Sequence, residues 1–429
     1  MPYTDMTDVA LQNALVTQQS RLQAFTQREL SLNMARGKPS SAQLDLSLAL
    51  LDTLSSTSDY YAEDGTDCRN YGVLYGLPEA RRLMATLLDD DPEHVLVGGN
   101  SSLSIMYDLL AEFWLFGTLG SAPWNTLPKV KWLCPVPGYD RHFAITKSFG
   151  MEMIPVPLSD DGPDMDLVET LVSDDDTIKG IWCVPTYSNP SGITYSDDTV
   201  RRLAAMKCAA EDFRILWDNA YCVHHLFDET DTQEHVLDIA RTCLQAGNPH
   251  RACKFASTSK ITFPGAGIAA MAASEQVLAE VASHMGVRTI GYDKLNQLRH
   301  VRFLQDAHGI ATHMSKHAAL IRPKFELVWS MLENGLKDTD CTWTKPRGGY
   351  FILFQGPQGT AHRIVELAAS AGVKLTAAGA PFPLGIDPND AFIRLAPTLP
   401  TEDELKSALE VFICCAQIAC IEAELAQRA

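Results

Sequence analysis

Apolar residues along this chain occur in short solid runs, separated by stretches in which they return every three or four positions. The runs HVLVGG, KWLCPV, MEMIPVPL, IKGIWCV, FRILW, RACKFAS and GIAAMAA fall between about residues 60 and 300, and the periodic stretches between them read as helices. Most runs are apolar at successive positions, as strands are when helices cover both faces of their sheet. The alternation predicts an α/β domain. Before it, a polar helical segment over about residues 5 to 30 breaks at SLNMARGKPS, where Gly37 and Pro39 interrupt it. After about residue 305 a long helical stretch precedes three more strand candidates, GGYFILF, VKLTAAG and AFIRLAP. The segment TEDELKSALEVFICCAQIACIEAELAQ then reads as a helix with an apolar stripe and an acidic first turn, suited to the helix dipole. Three parts are expected: an N-terminal segment (1–55) packing with the small domain, a large domain (56–305), and a smaller α+β domain (306–429).

Composition narrows the function classes. The 429 residues suffice for two domains. With 53 acidic against 35 basic side chains the formal charge is -18, which argues against a nucleic-acid surface, where clustered cations must replace counterions. A small anionic substrate stays open, because one or two arginines can bind a carboxylate inside an acidic protein. The 11 cysteines contain no CxxC pair and read as reduced, mostly buried thiols. The start MPYTDMTDVALQ has no basic segment followed by an apolar run, and no stretch nears the roughly 18 apolar residues of a membrane span. A cytoplasmic protein, with neither nucleic acid nor membrane as a partner, is the expectation.

In an open α/β sheet ligands gather at the carboxyl ends of the strands, and unusual polar residues fall there in this chain. Asn100, Ser101 and Ser102 follow HVLVGG and lead into a helical stretch, offering free backbone N–H groups and a positive dipole end to a phosphate. An ordinary helix cap would use the same residues. Pro137 to His142 follow KWLCPV, Pro185 to Gly192 follow IKGIWCV, Asp218 to Tyr221 follow FRILW, and Ser257 to Lys260 follow RACKFA. Together these ends supply a carboxylate, an amide, phenols and a lysine. His224 and His225 have no metal-ligand spacing and read as structural.

The succession Asn189-Pro190-Ser191-Gly192, Asp218 to Tyr221, Ser257 to Lys260 and Phe392-Ile393-Arg394-Leu395 resembles the class I aminotransferases of fold type I. The segment Asn70 to Pro78 and the ARGKP stretch extend the resemblance over about residues 30 to 400, most like an outlying bacterial branch of aspartate aminotransferases. The resemblance implies a mainly parallel, seven-stranded sheet in the large domain and pyridoxal 5'-phosphate as cofactor, held by Lys260 as a Schiff base. It makes Lys260 the proton shuttle, Asp218 the partner of the pyridine nitrogen, and Tyr221 and Asn189 the ligands of the phenolic oxygen. Tyr139 would stack on the ring, His142 would support Asp218, and Ser101, Ser102 and Ser257 would hold the phosphate. Arg394, aided by Asn189 and the backbone at Gly37, would clamp the substrate α-carboxylate. Tyr71 would reach the neighbouring site in a homodimer.

Two positions depart from the pattern. The family's phosphate-binding arginine, about eight residues after the lysine, has no counterpart in the stretch Ile261 to Ile268, and no Lys or Arg occurs before Arg288. A dicarboxylic substrate also needs a cation for its side chain, for which Arg141 is proposed, with Arg36 and Lys38 as lesser candidates. The expected reaction is ping-pong transamination between L-aspartate and 2-oxoglutarate. A broader aromatic or kynurenine aminotransferase, a carbon–sulfur lyase on the same scaffold and a cofactor-binding regulator are the alternatives.

Overall fold

A computed structural model describes residues 2–429. A short strand, β1 (Leu32–Asn33), precedes the main sheet. That sheet collects β2 (Val95–Val97), β3 (Lys131–Val136), β4 (Glu152–Ser159), β5 (Gly162–Pro163), β6 (Ile178–Cys183), β7 (Arg214–Asp218), β8 (Ala252–Ser257) and β9 (Ala269–Ala272). Its spatial order is β2-β9-β8-β7-β6-β3-β4-β5. Each of the seven apolar runs supplies one strand. The eighth, β5, is a two-residue antiparallel return along β4, too short for any hydrophobic pattern to mark it.

The five strands β4, β3, β6, β7 and β8 are parallel neighbours, while β9 runs antiparallel between β8 and β2. Successive residues of each central strand enter opposite cores. Trp132, Trp182, Leu216 and Phe255 pack on one face with the helix Ser102–Phe116, and Leu133, Ile181, Ile215 and Trp217 pack on the other. Burial on both faces is why these segments read as solid apolar runs. From β3 the chain steps outward to β4 and then returns to the other side of β3 as β6. Such a reversal opens a crevice at the carboxyl ends of the two strands.

The C-terminal third carries β10 (Thr342–Trp343), β11 (Ile352–Gln355), β12 (Val373–Lys374) and β13 (Phe392–Leu395). β10, β11 and β13 form a small antiparallel sheet. VKLTAAG yields only β12, which pairs in parallel with β1. The chains approach closely there: a Cβ on Gly372 would lie 1.9 Å from the Leu30 carbonyl oxygen, so only glycine fits. The helix Glu402–Arg428 starts with a capping box between Thr401 and Glu404. The helix Asp8–Thr26 packs along it, and Phe25 joins Phe325, Phe354 and Phe412 in one core. All eleven cysteines are free and nine are buried. Among the described residues no helix is long and apolar enough to cross a membrane.

Candidate active site

The crevice at the reversal holds a cavity of about 140 Å³, lined by Ser101, Ser102, Tyr139, Asn189, Asp218, Tyr221, Ser257, Ser259 and Lys260. Four parallel strands deliver these groups: β3 leads to Tyr139, β6 to Asn189, β7 ends on Asp218, and β8 ends on Ser257 three residues before Lys260.

Asp218 is the most tightly held. Its Oδ2 lies 3.0 Å from His142 Nε2, and the two side chains are only 4% and 2% exposed. His142 stacks flat on Trp182, 4.3 Å between ring centres and 8° between planes. Trp182 in turn donates to Thr146 Oγ1 at 2.8 Å. The other carboxylate oxygen, Oδ1, is buried and accepts no hydrogen bond among the described residues. A buried, unmatched acceptor is costly unless a donor arrives to meet it.

Lys260 is half-buried, with Nζ 4.6 Å from the centre of the Tyr221 ring. Burial, with the Asp218 charge adding to it, drives the Tyr221 phenol well above its ordinary range; Arg394 and a hydrogen bond from Asn189 pull the other way. Burial raises the Tyr139 phenol to about 12 against the opposing charge of Lys260. Beneath the lysine, the backbone is gripped from several sides. His224 Nε2 lies 3.4 Å and Tyr350 Oη 3.5 Å from the Lys260 carbonyl oxygen. His313 and His317 bring Nε2 atoms within 2.8 and 3.0 Å of the Ile261 carbonyl oxygen. Gln43 donates to Tyr350 Oη at 2.9 Å.

The serines gather at the start of the helix Ser102–Phe116. Its N-cap, Ser101, makes no side-chain capping bond, so the helix presents unpaired N–H groups and its positive end to the cavity. Ser257 Oγ donates to Ser259 Oγ at 3.0 Å. Lys260 is the one basic residue among those lining the cavity. Arg288, the first arginine after it, pairs with Asp108.

Arg394, on β13 of the small sheet, meets the cavity at Asn189 without itself lining it. It is 7% exposed, its guanidinium lies over Phe351 at 4.9 Å, and its Nη1 is 3.3 Å from Asn189 Oδ1 and 3.0 Å from Asp140 Oδ1. Gly37 backs this wall, since a Cβ there would stand 2.4 Å from Phe351 Cζ. Four expected residues lie apart, Arg36 and Lys38 among them, both exposed and outside the lining. Arg141 is exposed and does not line the cavity, and Tyr71, 82% exposed, contributes nothing to the cavity of its own chain.

Several participants escaped the sequence reading. Asp140, Trp182, Ser259, Tyr350 and Phe351 act through contacts that no motif encodes. His224, read as structural, meets the lysine's own carbonyl. The spacing of His313 and His317, four apart on one helix, was the available signal that both face one target. Among the described residues no cluster of His, Cys, Asp or Glu could hold a metal ion.

Residues 6–428 match the family described as aspartate amino-transferase. An aspartate aminotransferase of Corynebacterium glutamicum is 47% identical over 92% of this chain and 91% of its own. The crystal structure of an aspartate transaminase from Corynebacterium glutamicum superposes with a TM-score of 0.95, at 44% identity and 99% coverage of both chains. LysN, an α-aminoadipate aminotransferase of Thermus thermophilus complexed with N-(5'-phosphopyridoxyl)-L-leucine, shares the fold at a TM-score of 0.70 and 20% identity, covering 96% of this chain and 98% of its own.

Proposed function

The chain belongs to the aspartate amino-transferase family and is an aminotransferase of fold type I, and on that premise we propose that it exchanges the amino group of L-aspartate with 2-oxoglutarate, using pyridoxal 5'-phosphate. The observation that carries the cofactor is Asp218: one oxygen is pinned by His142, and the other is buried, unpartnered and part of the cavity that contains Lys260. A protonated ring nitrogen is the donor this acceptor lacks. The uncapped helix start with Ser101, Ser102, Ser257 and Ser259 suits a phosphate held by backbone N–H groups and hydroxyls, without the family's arginine.

When bound, the cofactor supplies an aldehyde carbon and an electron-poor ring that accepts the electron pair left at a substrate Cα. Asp218 would keep the ring nitrogen protonated, and His142 keeps Asp218 oriented. Tyr221 and Asn189 would donate to the phenolic oxygen, and Tyr139 would supply an aromatic face. Lys260 would hold the cofactor through Nζ, and its amine would take a proton from the substrate Cα and return it to the cofactor's aldehyde carbon. Arg394 binds the α-carboxylate through its planar fork, with Asn189 and the Gly37 segment beside it. Arg141, with Arg36 and Lys38, is the proposed source of charge for the side-chain carboxylate. Tyr71, exposed on its own chain, is proposed to enter the neighbouring site of a homodimer. The same reading divides the chain near residues 55 and 305 and keeps it in the cytoplasm.

The test is an absorbance titration of the cofactor-loaded protein with L-aspartate, no oxo acid being present. The cofactor band should be discharged by aspartate and restored by 2-oxoglutarate. If only an aromatic amino acid discharges it, the broader aminotransferase replaces the aspartate enzyme. If no band forms with added cofactor, the Lys260 assignment falls.

A further inference from the structure

Arg394 does not stand open to solvent. Its side chain is 8% exposed, and its nearest anion is Asp140, whose side chain is 37% exposed. A guanidinium buried to that degree requires a counter-ion. The pairing is nevertheless partial. Asp140 Oδ1, at 3.0 Å, and Asn189 Oδ1, at 3.3 Å, both address the single nitrogen Nη1. The Nε donor is buried and bonds to nothing among the described residues. A carboxylate meeting the fork squarely would form two charge-assisted bonds where Asp140 forms one.

We propose that Asp140 is a resident counter-ion of the carboxylate subsite, occupying Arg394 in the free enzyme and giving it up to the α-carboxylate of the incoming amino or oxo acid. The proposal rests on Arg394 being the α-carboxylate ligand, as argued above. Three features suit Asp140 to the exchange. It is the first residue of the helix Asp140–Ser148, so its charge remains favourable at the positive helix end after it leaves the arginine. It is exposed enough for water to take it up. It also follows Tyr139 directly, and its charge reaches both Tyr139 and Tyr221. The subsite therefore trades one carboxylate for another and keeps its net charge. The apparent affinity for every substrate is lowered by the fraction of enzyme in which Asp140 is away, and an amine without a carboxylate has no means of displacing it.

The experiment compares the wild-type holoenzyme with Asp140→Asn, Asp140→Ser and Arg394→Gln. It measures KM and kcat for L-aspartate and 2-oxoglutarate, and the Tm shift produced by succinate, an unreactive dicarboxylate. The Asp140→Ser variant keeps a polar residue in the first helical turn, and unliganded Tm values check that each protein folds. Both Asp140 variants should lower the two KM values about 5- to 10-fold, as expected when a competing internal ligand is removed. Their kcat should stay within about twofold, and the succinate shift should grow. Arg394→Gln should raise both KM values by at least about tenfold. Unchanged or higher KM in the Asp140 variants, with KM raised in Arg394→Gln, would overturn the exchange and leave Asp140 a fixed orienter of the arginine. Unchanged KM in Arg394→Gln would remove the carboxylate subsite itself, and the exchange with it.

Discussion

The two walls of the crevice are built on opposite principles. On the large-sheet side, Asp218 and His142 are 4% and 2% exposed, locked to each other and to the flat face of Trp182. On the small-sheet side, Arg394 is held by a single nitrogen to an aspartate that is 37% exposed. The first wall has its charge partners installed permanently and keeps one acceptor vacant. The second keeps a replaceable partner in position. A cofactor that stays through every turnover suits the former, and substrates that come and go twice per cycle suit the latter.

This contrast is broken most severely at Lys260. Lys260→Ala should cut turnover on the order of 10⁴-fold or more, measured as the single-turnover rate with L-aspartate; a loss under about tenfold would remove the lysine from the chemistry. Arg394→Ala should lower kcat/KM by about 10²- to 10³-fold, chiefly through KM. A fall carried entirely by kcat would place Arg394 with the rigid wall instead. His142→Ala removes a hydrogen bond to a charged group and should reduce kcat roughly 10- to 100-fold, with substrate KM little changed. Were KM to move as much as kcat, the division between walls would not hold. Gly37→Ala forces a methyl into Phe351, and the overpacking should raise KM about 3- to 10-fold while leaving cofactor binding as it is, readable by titrating the apoprotein with pyridoxal 5'-phosphate.

The smallest effect on turnover is a pH effect on the rigid side. Burial holds His313 below its ordinary range; burial, with the His313 charge added, lowers His317 to about 4. Burial, reinforced by the Lys260 charge, drives His224 well down. Unfolded, these rings take up protons near pH 6.5; folded, they resist. The unfolded state therefore binds more protons as pH falls, and the stability they contribute is complete above about 6.5 and lost progressively toward about 4. Replacing His317 by Gln should flatten the Tm-versus-pH curve in that window, by an amount on the order of 1–3 kcal/mol at its acid end. Superimposable curves for the variant and the wild type would refute a titrating cradle under Lys260.

The large sheet was legible because its strands are buried on both faces, and Trp132, Ile181 and Phe255 announce that burial by composition alone. The strand β5 was not, since two residues carry no period. VKLTAAG does hold a strand, the two-residue β12, but its partner is β1, more than 300 residues earlier, and pairing over such a separation leaves no local mark. Lys260, Asp218 and Asn189 could be found because each stands at a strand end within a short motif, and the structure gathers them around one cavity. Asp140 lay in plain view beside Tyr139. Its meaning depends on Arg394, 254 positions away, and only the fold joins them. Arg141, the next residue, is exposed and outside the cavity lining.

The distance in sequence between the two walls has a consequence for how the protein is made. Every strand that lines the cavity, with Lys260, has left the ribosome well before Arg394 is translated. At roughly 5–20 residues per second, the interval is on the order of ten seconds. Gly37 emerges early but waits for Phe351, and β1 waits for β12. During synthesis the nascent chain can therefore assemble the pocket for its permanent guest while the receptor for its transient ones does not yet exist.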